Sequence, residues 1–168
     1  MKPVFGFLLV VLVSRTPFDL NAAPPAPASH EPPKVELSPV EDMILQLTNE
    51  ARAKEKLPPL KPNALLCQAA RAHSANMAKQ GKMEHDLDDQ KPSQRVDATG
   101  YTWSAVGENI AYGWNTSVET IFQGWMDSKG HRENILNARF EEIGIGLAKN
   151  KKNEVYYTQV FGRPRKKR

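Results

Sequence analysis

Gly107-Glu108-Asn109-Ile110, followed downstream by Gly130-His131-Arg132-Glu133-Asn134-Ile135-Leu136, is the stretch on which the rest of the chain turns. Val106, Glu108 and Ile110 alternate with Gly107, Asn109 and Ala111, the period of a β-strand. Glu108 shares its face with two aliphatic residues. A carboxylate there needs a partner, because an unpaired buried charge costs several kcal/mol or protonates; the other reading is an edge strand with Glu108 in water. Thr116-Ser117-Val118-Glu119 reads as a capping box ahead of Val118, Ile121, Phe122 and Trp125 at helical spacing. Asn115-Thr116-Ser117 also matches a glycosylation acceptor, but capping accounts for Thr116 without it. Ser128-Lys129-Gly130-His131 reads as the cap and first turn of a short helix ending near Leu136. An imidazole in a first turn feels the positive end of the helix, which favours the neutral form that binds a metal or accepts a proton.

Upstream, Lys82 to Thr99 is polar, carries Asp86, Asp88 and Asp89, and shows no sustained period. It reads as a surface loop holding His85. Before it, Asn63 caps a helix that stops at Gly81, with Leu65, Leu66, Ala69, Ala70, Ala72 and Met77 as its apolar positions. So many alanines imply close approach to a neighbouring element. Cys67 in this helix reads as a buried small thiol rather than a nucleophile, and His73 as a hydrogen-bonded packing residue. Ser38-Pro39-Val40-Glu41 is a capping box with proline at the first helical position, and Val40, Ile44, Leu47 and Ala51 form one stripe of a helix over Pro39 to Lys56. Leu57-Pro58-Pro59-Leu60 stops it. Downstream, Ile143, Ile145 and Leu147 alternate with Gly144, Gly146 and Ala148, a strand whose bare face admits a helix. Val155 to Phe161 completes a hairpin with it.

The ends bound the organisation. Lys2 before the apolar run Val4 to Val13, then Ala22 and Ala23, reads as a signal peptide over residues 1–23, with an N-terminal strand or retained anchor as the alternative. Residues 24–37 are a Pro/Ala-rich tether, 38–162 the folded domain and 163–168 a basic tail. The formal +4 falls to +3 without Lys2, Arg15 and Asp19, and removing the tail's five cations leaves the body at −2. Basicity thus belongs to the tail and not to a nucleic-acid face. Cys67 is the only cysteine in 168 residues, so no intramolecular disulfide forms even in an exported chain.

These pieces together resemble the CAP or SCP superfamily of cysteine-rich secretory proteins, antigen 5 and pathogenesis-related proteins, in its bacterial form. The resemblance rests on Asn49-Glu50-Ala51-Arg52 with Leu57-Pro58-Pro59-Leu60, the alanine-rich helix, Gly107-Glu108-Asn109-Ile110, Trp125-Met126-Asp127-Ser128 with Gly130-His131-Arg132, and Ile143-Gly144-Ile145-Gly146 with Thr158-Gln159-Val160-Phe161-Gly162. It covers about Val40 to Gly162. It implies an α+β fold: a three-layer α-β-α sandwich, with helices on both faces of a small, mainly antiparallel sheet. It also implies a cleft where two histidines and two glutamates hold a divalent cation, zinc first among them. Here those positions are His85, Glu108 and His131, while the second glutamate is replaced by Ser128. Two imidazoles and one carboxylate still suffice for zinc with a water in the remaining position, at lower affinity and without one candidate base.

The expected function is accordingly an exported binding or interaction protein, secreted or periplasmic, in preference to an enzyme. Its partner is a small hydrophobic ligand, as the resemblance implies, or an envelope component, and no transmembrane segment remains once the signal is removed. The enzymatic alternative is a metal-assisted, peptidase-like hydrolase, for which no His-Glu-x-x-His motif is present. A third reading gives the work to the basic tail, on anionic envelope. No catalytic residue is assigned, and no nucleic-acid partner.

Overall fold

Residues 35–166 are described by the computed structural model. The stretch read as a signal peptide, residues 1–23, and most of the expected tether lie outside them, as do the last two residues of the tail. The elements in order are α1 (Pro39–Lys54), β1 (Lys61–Pro62), α2 (Ala64–Gln80), α3 (Pro92–Ala98), β2 (Trp103–Trp114), α4 (Val118–Asp127), α5 (Lys129–Ile135), β3 (Glu142–Lys149) and β4 (Glu154–Pro164). The strands form one sheet in the order β1-β3-β4-β2, with the two-residue β1 parallel to β3 and the other pairings antiparallel. Among the described residues, no helix is long and apolar enough to cross a membrane.

The alternation in β3 sets the layers. Its glycine face receives α2: a Cβ on Gly144 would lie 2.0 Å from the Leu66 carbonyl carbon, and one on Gly146 2.3 Å from the Arg71 nitrogen. Leu66, Ala69 and Ala70 of α2 pack there with Val160 of β4 and Val96 of α3. On the opposite face, Ile143 and Ile145 join Ile44 of α1, Ile121, Phe122 and Trp125 of α4, Ile135 of α5 and Phe161 of β4. Helices therefore cover both faces of the small sheet, as the resemblance implies.

Several local expectations need correction. The stretch from Lys82 to Thr99 is not all loop, because Pro92 opens α3 and buries Arg95 and Val96. Seven residues are too few for a helical period to register. In α1 the capping box is present as read, with Ser38 accepting from the Glu41 N–H and Glu41 accepting from the Ser38 N–H. Its buried stripe, however, is Glu41, Ile44, Thr48 and Arg52, while Val40, Leu47 and Ala51 are only partly covered. The polar members are tolerated because each is bonded: Glu41 by Arg71, Thr48 by Gln159, and Arg52 by the carbonyls of Pro58, Ile135, Asn137 and Phe140. The cap of α4 is Ser117, one residue later than read; it accepts from the Thr120 N–H, and Thr116 instead donates to the Trp114 carbonyl. Finally, β4 runs two residues past Gly162, so Arg163 pairs with Ala105 in the ladder.

Candidate functional site

β2 is an edge strand, yet Glu108 is buried at 7% exposure, because α2, α3 and the loop before α3 wrap over it. Its carboxylate is gripped from two sides. Arg95 Nη2 of α3 donates to both oxygens, at 2.8 Å to Oε2 and 3.0 Å to Oε1, while Arg95 Nη1 donates to the Gln90 carbonyl. His85 Nδ1 lies 2.9 Å from Oε1. A carboxylate only accepts, so this contact places the Nδ1 proton on His85 and leaves its Nε2 outward on a half-exposed ring. The partner that Glu108 requires is thus Arg95, which periodicity did not single out; the signal was Lys91-Pro92-Ser93-Gln94-Arg95, a proline-initiated turn with an arginine one turn in.

His73 stands behind this pair on α2. Its side chain is fully buried, its Nε2 lies 3.7 Å from Glu108 Oε1, and neither ring nitrogen makes a hydrogen bond of good geometry. It is therefore not the hydrogen-bonded packing residue expected. Burial pushes its pKa below 6.5 and the Arg95 charge acts in the same direction, while the Glu108 charge and the Glu84 backbone oppose. The ring is stored neutral beside a carboxylate already satisfied by others.

His131 occupies the first turn of α5, and polar stitching fixes that helix to β2. Asn109 Nδ2 donates to the His131 carbonyl at 3.0 Å and to Gln159 Oε1 at 3.1 Å. Asn134 Nδ2 returns to the Glu108 carbonyl at 3.1 Å and to Asn109 Oδ1 at 2.9 Å. Gly107 is bare because a Cβ there would sit 2.8 Å from the Phe140 ring and 3.1 Å from Asn134 Oδ1. Burial first, and then the nearby His85, lower the His131 pKa. Of the three expected site residues, His85 and Glu108 are in direct contact. His131 is close enough to feel His85 but forms no ion pair with Glu108 among the described residues.

A cleft of about 440 Å³ opens over the pair, with His85, Lys91 and Glu108 on its polar side and Pro92, Trp103 and Val106 along its wall. A wider depression, about 670 Å³, lies around Trp114 at the far end of β2.

A resident divalent cation, which the resemblance implies, does not fit this donor set as arranged. Both Glu108 oxygens accept from the Arg95 guanidinium, so that carboxylate is already neutralised and is not a free ligand as arranged. Among the described residues no three His, Cys, Asp or Glu side chains are arranged to hold one. Ser128, at the position of the missing glutamate, links α4 to α5 and makes no side-chain cap bond.

A sheet with helices on both faces, a Gly-Glu-Asn strand stitched to a Gly-His-Arg helix, and glycines seating α2 together define a CAP-type domain. Residues 45–161 match the cysteine-rich secretory protein family, CAP, and the chain belongs to it. It is 33% identical over 152 residues to the uncharacterized protein YkwD of Bacillus subtilis (strain 168), an alignment covering 86% of this chain and 58% of that one. An extracellular protein containing a SCP domain from Bacillus anthracis str. Ames superposes with a TM-score of 0.68 at 28% identity, over 77% of this chain and 45% of that one. An outer surface protein of Borrelia burgdorferi shares the fold at a TM-score of 0.72 and 20% identity, over 78% of this chain and 97% of that one. The chain thus spans little more than half the length of YkwD.

Proposed function

We propose that this chain is an exported ligand-binding module of the CAP family, and that the cleft beside Glu108 takes a small, mainly apolar molecule bearing a hydroxyl head. Export is supported by the apolar leader and by likeness to an extracellular Bacillus anthracis protein. The observation that carries the ligand reading is the pairing of an apolar wall, Pro92, Trp103 and Val106, with a His85–Glu108 contact whose geometry is fixed by Arg95. Such a cleft has the size and mixed chemistry of small-molecule sites. In its neutral form His85 spends its proton on Glu108 and presents Nε2 as an acceptor, which selects a hydrogen-bond donor in the ligand.

Neither alternative gains support. A metal-assisted hydrolase needs Glu108 free of Arg95, and a working basic tail begins with residues that the β4 ladder already holds. The test is NMR titration of the exported chain with octanol and with octyl methyl ether, which lacks the donor. Octanol is expected to shift the Trp103 indole and His85 ring signals and to bind better than the ether, and His85→Ala to erase that preference. Equal response to the two, or shifts centred away from Trp103, would sink the reading.

A further inference from the structure

The far end of β2 carries features that the cleft does not use. Trp114 is 68% exposed and Tyr112 53%, the largest exposures of any big apolar side chain among the described residues. Trp114 borders the depression of about 670 Å³, whose polar lining includes Asn115, Ser117, Lys149 and Asn153. Asn115 and Asn153 sit in turns with left-handed backbone, φ 51° and 64°. Neither of their side-chain amides is used in the hydrogen bonds of the described chain, and Lys149 forms no ion pair there. Lys149 also borders an adjoining depression of about 630 Å³, where Lys79, Lys151 and Lys152 gather. No carboxylate lines either depression. The nearby Glu154, half-buried and paired with Trp114 across the ladder, accepts from Asn150 and Tyr156.

An exposed aromatic plane, two uncommitted amides and a run of cations lie along one open track. An aromatic face packs the C–H side of a pyranose, amides offer donors and an acceptor to ring hydroxyls, and lysines attract carboxylates across open solvent. The aromatic here is flanked by polar side chains rather than set on an apolar protrusion, which disfavours insertion into lipid. We propose that this track binds an acidic polysaccharide, with Trp114 stacked on one sugar ring and Lys149 placed between that ring and the neighbouring lysines.

The site is independent of the cleft, and its test separates the two. The exported chain is titrated calorimetrically at low salt with hexagalacturonate, maltohexaose, phosphatidylglycerol vesicles and a single-stranded oligonucleotide. Hexagalacturonate is expected to bind and neutral maltohexaose much more weakly. Trp114→Ala, an exposed position whose fold is checked by circular dichroism, should weaken binding about tenfold or more, and Lys149→Gln several-fold, while Trp103→Ala leaves it unchanged. Failure of hexagalacturonate to bind, retention of its affinity in Trp114→Ala, or tighter Trp114-dependent binding of vesicles or oligonucleotide would each overturn the proposal.

Discussion

Replacing Arg95 by Gln should destabilise the domain far more than replacing a surface arginine, and the size follows from the burial of the pair. The Glu108 side chain is 2% exposed and that of Arg95 8%. Removing one member of a buried ion pair leaves an uncompensated charge and costs about 3–5 kcal/mol. That is a large share of the roughly 5–15 kcal/mol that holds a typical domain together. Glu108→Gln should cost a similar amount, because the buried guanidinium then faces a neutral amide and its charge is left uncompensated. The double variant removes both charges and leaves two amides of nearly matching shape, so its cost should be close to that of one single variant. A coupling above about 2 kcal/mol is expected, where independent sites add within about 0.3–0.5 kcal/mol. Urea unfolding followed by far-ultraviolet circular dichroism gives all four corners of the cycle. Strict additivity, or an Arg95→Gln cost below about 1 kcal/mol, the range of exposed pairs, would show that the pair is not the organising contact.

Two further outcomes follow. Gly144→Ala places a methyl 2.0 Å from the Leu66 backbone, which forces α2 off the sheet and should cost about 3 kcal/mol or more in urea unfolding; an unchanged midpoint would refute the seating of α2 on the bare strand face. The lowered pKa of His73 means that the unfolded chain binds its proton more readily than the folded one, so stability should be full above pH 6.5 and fall as the pH drops from 6.5 through the lowered folded value. His131 contributes in the same direction, whereas Glu41, which bonds from Arg71 and Ser38 hold below 4.5 against the effect of burial, contributes only at lower pH. Unfolding midpoints at pH 7.5 and about pH 5 should therefore differ in wild type and differ less in His73→Gln.

Much of the fold was legible wherever one residue type answers one local demand. The Ser38 box, the Asn63 cap, Gly81 in the left-handed conformation and the Gly144/Gly146 face all read correctly because cap, turn and strand period are near-neighbour effects. The polar stripe of α1 was not legible, since Thr48 and Arg52 find their partners at Gln159 and at Ile135 to Phe140, far along the chain. At the site, the need of Glu108 for a partner was readable from its aliphatic neighbours. Which partner meets it was not, because Arg95 sits on a helix too short to declare itself by periodicity. His73 was misread for a related reason: helix position suggested burial but gave no hint that its nitrogens would lack bonds.

The central claim is that the Arg95 guanidinium already neutralises Glu108, which leaves the carboxylate unable to hold a cation. Isothermal titration with zinc tests it most directly, on wild type, Arg95→Gln and Arg95→Gln/His85→Ala. Wild type should show no saturable one-to-one site, whereas Arg95→Gln, which leaves Glu108 facing His85 and His73, should gain one that His85→Ala removes. Tight one-to-one zinc binding by wild type, lost on His85→Ala or His131→Ala, would contradict it.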